Sequence, residues 1–121
     1  MFKWFAHKMN ILTFLKETVQ SIHFNAGDTV LKQGQQGEYM YVIQQGELDV
    51  QIDGAHVRSM GPGDIFGEMA MVDGLPHSAD IIAKTACVLA PIDERRFLFL
   101  VHENPVFALE IMRILTRRLR N

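Results

Sequence analysis

Near the start of the chain, Phe2, Phe5, Met9, Leu12 and Val19 recur at helical spacing, with Ile11 and Leu15 beside them. This pattern predicts one or two amphipathic helices over residues 2–21, packed by their apolar face on the rest of the chain. From Ile22 the period changes. Short apolar pieces (IHF, TVLKQ, MYVIQ, ELDVQI, HVRSM) are separated by turn residues: Asn25-Ala26-Gly27-Asp28, Gly34 to Gly37, Gln45-Gly46 and Gly61-Pro62-Gly63-Asp64. In ELDVQI, Leu48, Val50 and Ile52 alternate with Asp49 and Gln51, so the first set should face a core and the second solvent. Asp53-Gly54 then marks a hairpin, because both residues tolerate positive φ. The stretch ADIIAKTACVLAPI has room for two more strands with a turn near Lys84-Thr85.

Many short strands of this kind imply a closed or double-sheet antiparallel architecture, a jelly roll or barrel. Met40, Tyr41, Val42 and Ile43 read as strand core. A short helix is expected at Glu68 to Val72, with Met69 and Met71 packed beneath it. Two helices follow the strands. One begins near Asp93, and the next is announced by Asn104 as N-cap and Pro105 at the first helical position. Phe107, Ile111, Ile114, Leu115 and Leu119 form its apolar stripe. The chain thus divides into a helical segment, 1–21, and a β-rich domain with flanking helices, 22–121.

Composition narrows the function. The chain has 121 residues, 48% hydrophobic and 21% charged, as an ordinary globular domain does. A net charge of −2 gives no electrostatic case for nucleic acid. Arg113, Arg117, Arg118 and Arg120 read as cations complementing the dipole of the last helix. Cys87 is the sole cysteine, which excludes a disulfide framework and a cysteine metal cluster, and its apolar setting predicts a buried thiol. Lys3, His7, Lys8 and Asn10 make the first segment too polar to span a membrane. Surface binding through Phe2, Trp4 and Phe5 is the lesser alternative to packing. A cytoplasmic location is expected.

Catalysis finds little support. His-x-His, His-Glu-x-x-His and Gly-x-Ser-x-Gly are absent, and His7, His23, His56, His77 and His102 are scattered, so neither an enzyme nor a metal site is expected. The loop FGEMAMVDGLPHSAD, Phe66 to Asp80, is the one stretch with binding chemistry. Gly67 lets backbone approach a ligand, and the unpaired N–H groups opening the following helix attract anions. Glu68 at that helix start suits a ligand that also carries a hydroxyl, while Ser78 and the Ala79 N–H are further donors. The loop therefore fits a sugar phosphate, or an ordinary helix-containing connection with Glu68 as a capping carboxylate.

Three ordered stretches resemble the cyclic nucleotide-binding domains of the catabolite-activator and protein-kinase regulatory-subunit superfamily. They are Ala26-Gly27-Asp28 with Gly34 to Gly46, then Gly61 to Ala70, and then Asn104-Pro105 with the helix ending Arg117-Arg118-Leu119-Arg120. The resemblance implies an antiparallel β-roll, jelly-roll-like, with an N-terminal helix, a short cassette helix and a C-terminal hinge helix. It implies a ligand, cAMP or cGMP, and no required cofactor. The ligand residues it implies are Phe66, Gly67, Glu68, Met69, Ala70, His77, Ser78 and Ala79. Glu68 would bind the ribose 2′-hydroxyl, and Ser78 with the Ala79 N–H the cyclic phosphate. His77 stands where the family places an arginine against that phosphate.

An arginine fork is always charged, whereas imidazole is mostly neutral at pH 7. The substitution predicts weakened binding that strengthens as pH falls. Two other functions remain open: a domain released from nucleotide binding that serves as a protein-interaction or dimerisation module, and a sensor of another ligand, such as haem through His77. The last helix is the expected switch and homodimer element. With no effector segment recognisable, a free-standing sensor acting on an effector protein in trans is expected.

Overall fold

The computed structural model describes residues 11–15 and 20–120. Most of the segment expected to be helical lies outside them. Its described part is a single 3₁₀ turn, Ile11–Phe14. Eight strands follow: β1 (Ile22–Phe24), β2 (Thr29–Leu31), β3 (Tyr39–Gln45), β4 (Leu48–Ile52), β5 (Ala55–Met60), β6 (Ile65–Phe66), β7 (Asp80–Ala83) and β8 (Cys87–Asp93). The helices are α1 (Glu68–Asp73) between β6 and β7, then α2 (Glu94–Glu103) and α3 (Val106–Arg120).

The strands form two antiparallel four-stranded sheets, ordered β1-β8-β3-β6 and β2-β7-β4-β5. The architecture is the expected β-roll flanked by helices. Side-chain alternation along β3 explains how one sheet serves two cores. Met40 and Val42 join Ile65, Ala90 and Ile92 in a layer covered by Leu100, Phe107, Ile111 and Ile114 of the helices. Ile43 points the other way, into the roll, with Leu48, Val50, Met60, Phe66, Ile81, Ala83, Cys87 and Leu89. Phe107, fully buried, meets Phe14 and Phe97 edge-on, at 5.9 and 5.6 Å between ring centroids. Cys87 is buried as expected, its thiol facing the Thr85 carbonyl oxygen at 3.2 Å.

The helix boundaries follow local chemistry. The Asp93 carboxylate accepts the Arg96 N–H at 2.8 Å and caps α2, and the Asn104 side chain accepts the Val106 N–H at 3.3 Å ahead of α3.

Four expectations need correction. Ile52 is 40% exposed, because it is the last residue of β4 and projects with the Asp53-Gly54 turn beyond the roll. Met69 is 63% exposed, so only Met71 packs beneath the short helix, against the layer under α2 and α3. Tyr41 is half-buried rather than core, stacked on Phe66 with centroids 5.1 Å apart. Leu119 is 87% exposed, since the apolar stripe of α3 runs past its support and its last turn overhangs a cavity.

Candidate ligand-binding site

β6 delivers the chain to Gly67, whose φ of 77° opens α1 in a left-handed conformation. A Cβ added there would stand 2.8 Å from the Tyr39 carbonyl oxygen, so both conformation and space demand glycine. α1 closes after six residues, where the Gly74 N–H donates to the Ala70 carbonyl at 2.9 Å. The chain returns through His77-Ser78-Ala79 to β7, anchored where the Asp80 carboxylate accepts the Gln33 N–H at 2.7 Å.

Phe66, Gly67, Glu68, Met69, Ala70, His77, Ser78 and Ala79 all line one cavity of about 580 Å³, within the size of small-molecule sites. Val50 and Ile81 of the roll form part of its wall, and Leu115, Arg118 and Leu119 of α3 overhang it. A larger cavity of about 900 Å³ also reaches His77; Glu38, Asp93 and Glu94 outnumber the single cation, Arg95, among its lining residues and make it the less favourable place for an anion.

His77 is 8% exposed, and its neighbours explain its confinement. Its backbone N–H donates to the Gln35 carbonyl at 2.9 Å and its carbonyl accepts the Gly34 N–H at 2.8 Å. These bonds staple the return loop to the β2–β3 turn. The imidazole lies against Gly37, where any added Cβ would overlap Nε2. Burial pushes the His77 pKa below its ordinary value, so the ring is neutral at neutral pH. It therefore supplies no fixed charge to an anion. Ser78 is exposed and lines the cavity, and Ala79 is half-buried.

Two residues escaped the sequence reading. Arg118 does not simply decorate the end of α3. Its Nη1 faces Glu68 Oε1 at 3.5 Å, its Nη2 donates to the Ile65 carbonyl, and Asp64 lies 4.0 Å away. Glu68 is thus bound by a cation from the terminal helix as well as standing at the start of α1. Spacing could have shown this, since Arg118 falls four residues after Ile114 and seven after Ile111, on the apolar face. Arg58 of β5, which shares the inward face with Met60, is the other. It too lines the cavity, and the strand alternation around Met60 was the missed signal. Burial and the nearby Arg118 depress its pKa, while Asp64 and Glu68 act to hold its charge.

Residues 21–104 match the family described as the cyclic nucleotide-binding domain. A cAMP-dependent protein kinase regulatory subunit from Yarrowia lipolytica is 33% identical over 81 residues, which are 67% of this chain and 22% of the relative. The chain thus spans under a quarter of that curated relative's length. The catabolite activator protein of Thermus thermophilus superposes with a TM-score of 0.78 at 25% identity, over 91% of this chain and 54% of that one. A cyclic nucleotide-binding domain from Methylobacillus flagellatus gives 0.76 at 25% identity, over 91% and 67%. Among the described residues no helix is long and apolar enough to cross a membrane, and no group of side chains is arranged to hold a metal ion. The chain belongs to the cyclic nucleotide-binding domain family.

Proposed function

We propose that this domain is a non-catalytic sensor that binds a cyclic nucleotide, cAMP or cGMP, between α1 and the roll and reports its presence through α3. The observation that carries the reading is the shared cavity: the whole Phe66–Ala79 set lines it together with Arg118 of α3. In this reading the Ser78 hydroxyl and the Ala79 N–H hold the cyclic phosphate. The Glu68 carboxylate accepts a ribose hydroxyl, and a ligand competing for Glu68 loosens its tie to Arg118. Occupancy of the cavity then alters the position of α3.

His77 makes the binding weaker than an arginine would. A hydrogen bond to a charged group contributes about 1.5–3 kcal/mol, roughly ten- to hundredfold in affinity, and neutral imidazole forgoes it. α3 presents Val106, Leu109 and Met112 to solvent, opposite its buried face. That surface is the proposed contact with a second copy or an effector protein.

The competing reading is a domain that has lost its ligand and acts only by contact with partners. Exposed Met69, Val72 and Leu75 around α1 favour it. The burial of the His77 ring against Gly37 disfavours haem, which would need that ring as an open ligand. Calorimetric titration with cAMP and cGMP separates the first two readings. Saturable binding that Glu68→Ala weakens supports the sensor, and no binding by either the parent or His77→Arg favours the partner module.

A further inference from the structure

The larger cavity, about 900 Å³, opens between the β2–β3 turn, β3 and the start of α2. It shares Leu31, Ala70 and His77 with the smaller one, but its chemistry is the opposite. Tyr39 pairs with Asp93 at the end of the β3–β8 ladder, so Glu38 and Glu94, the adjacent residues, fall together at that end. Among the lining residues these three carboxylates stand against one guanidinium, Arg95, a balance of −2. Asp93 caps α2 through one oxygen, whereas Glu38, Glu94 and Arg95 make no side-chain hydrogen bond or ion pair among the described residues. Like charges gathered in one place repel, and a cation bound among them removes that cost.

An acidic cluster alone selects nothing, and His77 supplies the second feature. It is 8% exposed, and its imidazole makes no hydrogen bond among the described residues, yet neither nitrogen is fully sealed from solvent. The end of the ring lies against Gly37, which lines this cavity and not the smaller one. Buried polar groups nearly always have a partner, so an imidazole without one, turned toward a cavity, points to a donor from outside. Burial keeps the ring neutral, which leaves one nitrogen as an acceptor for an N–H group. With so little of the ring open, only a slender donor can reach it.

Three properties define the occupant. The charge balance fits a dication. The carboxylates and the imidazole are acceptors, so the cation has to carry N–H donors. Tyr39, Tyr41 and Met71 give the cavity an apolar side on which methylene groups can pack, and the tyrosine faces attract an adjacent ammonium. A bare metal ion has neither of the last two properties, and among the described residues no group of side chains is arranged to hold one.

We propose that this cavity binds a linear aliphatic diamine or polyamine, with one ammonium between Glu38 and His77 and another at Asp93 and Glu94. The site is separate from the cyclic nucleotide cavity, and the inference does not depend on that reading.

The test is calorimetric titration of the full chain with spermidine and putrescine at physiological ionic strength, which screens loose surface attraction. Both should bind saturably, one molecule per chain. Hexamethonium, a linear dication without N–H groups, should bind about tenfold or more weakly, because a hydrogen bond to a charged group contributes that much. Glu38→Gln and Glu94→Gln should each weaken spermidine about fivefold, as loss of one partly exposed ion pair does. His77→Leu should cost about tenfold, and His77→Gln, which keeps an acceptor, clearly less. Circular dichroism confirms that each variant is folded. In the parent, which needs no substitution, spermidine should shift amide resonances of residues 35–39 and 93–95. No saturable binding, equal binding of hexamethonium or magnesium, or shifts confined to other residues would overturn the proposal. None of these results bears on the cAMP and cGMP titrations, and failure of those leaves this site standing.

Discussion

Arg118, near the end of α3, pairs with Glu68, the first residue of α1, across 50 positions of sequence. Both side chains are largely buried, at 19% and 13% exposure, so solvent screens the pair less than it would a surface contact. The terminal helix is thereby tied to the residue proposed to hold the sugar.

Breaking that tie should loosen α3 without unfolding the roll. Arg118→Ala is expected to raise amide exchange across residues 106–120 and to leave the strands protected. Glu68→Gln should reproduce most of the effect, and the double variant should add little. Hydrogen exchange read by mass spectrometry checks this, and fully additive effects would mean the two residues act separately.

His77 sets the pH behaviour. Its folded-state pKa lies below the unfolded value of about 6.5, so the unfolded chain binds the proton first as pH falls. Stability should therefore decline from about pH 6.5 downward, and His77→Gln should decline less over that range. A bound phosphate acts in the opposite direction by favouring imidazolium. Affinity for a cyclic nucleotide should rise mainly below about pH 6.5, with proton uptake on binding. Denaturation midpoints and calorimetry in buffers of different ionisation enthalpy measure both effects.

His77→Arg should tighten cyclic nucleotide binding roughly tenfold or more and remove that pH dependence, because guanidinium stays charged throughout. Titration at pH 6 and pH 8 checks it. Unchanged affinity would mean that confinement beside Gly37 turns the new side chain away from the phosphate.

Gly67→Ala should disrupt the site more than its exposure suggests. The left-handed φ and the close Tyr39 carbonyl both oppose a side chain, and strain of this kind costs about 1–3 kcal/mol. Denaturant unfolding should show that loss, together with reduced ligand binding.

Phe107→Ala should lower unfolding free energy by about 3–5 kcal/mol, as large aromatic truncations in packed cores do. Its ring is fully buried and joins Phe14, Phe97 and the layer beneath α3. A loss below about 1 kcal/mol would mean that this layer is not closely packed.

Much of this molecule was readable from local chemistry. The switch to period two at Ile22, the Asp53-Gly54 turn and the capping residues Asp93 and Asn104 each specify structure through neighbours in sequence. That the Phe66–Ala79 residues gather on one cavity was readable too, because one loop carries them. Arg58 and Arg118 were not, since their roles depend on which elements close over the loop. Both lay on inward faces that periodicity marks, but a cation on such a face reads first as an edge residue. The misplaced Ile52 and Leu119 share one cause: a regular pattern continued to the end of its element, beyond the surface that could cover it.

The packing of His77 on Gly37 makes the order of substitution matter. A side chain at residue 37 is tolerable only after residue 77 has become smaller or swung away, because their atoms would otherwise coincide. In the reverse order, the first substitution would force the His77 ring out of its place. The β2–β3 turn and the return loop, 40 positions apart, therefore cannot vary independently. Engineering a stronger anion contact at 77 has to begin with Gly37 left untouched, and any library that randomises the two positions should recover compatible pairs rather than free combinations.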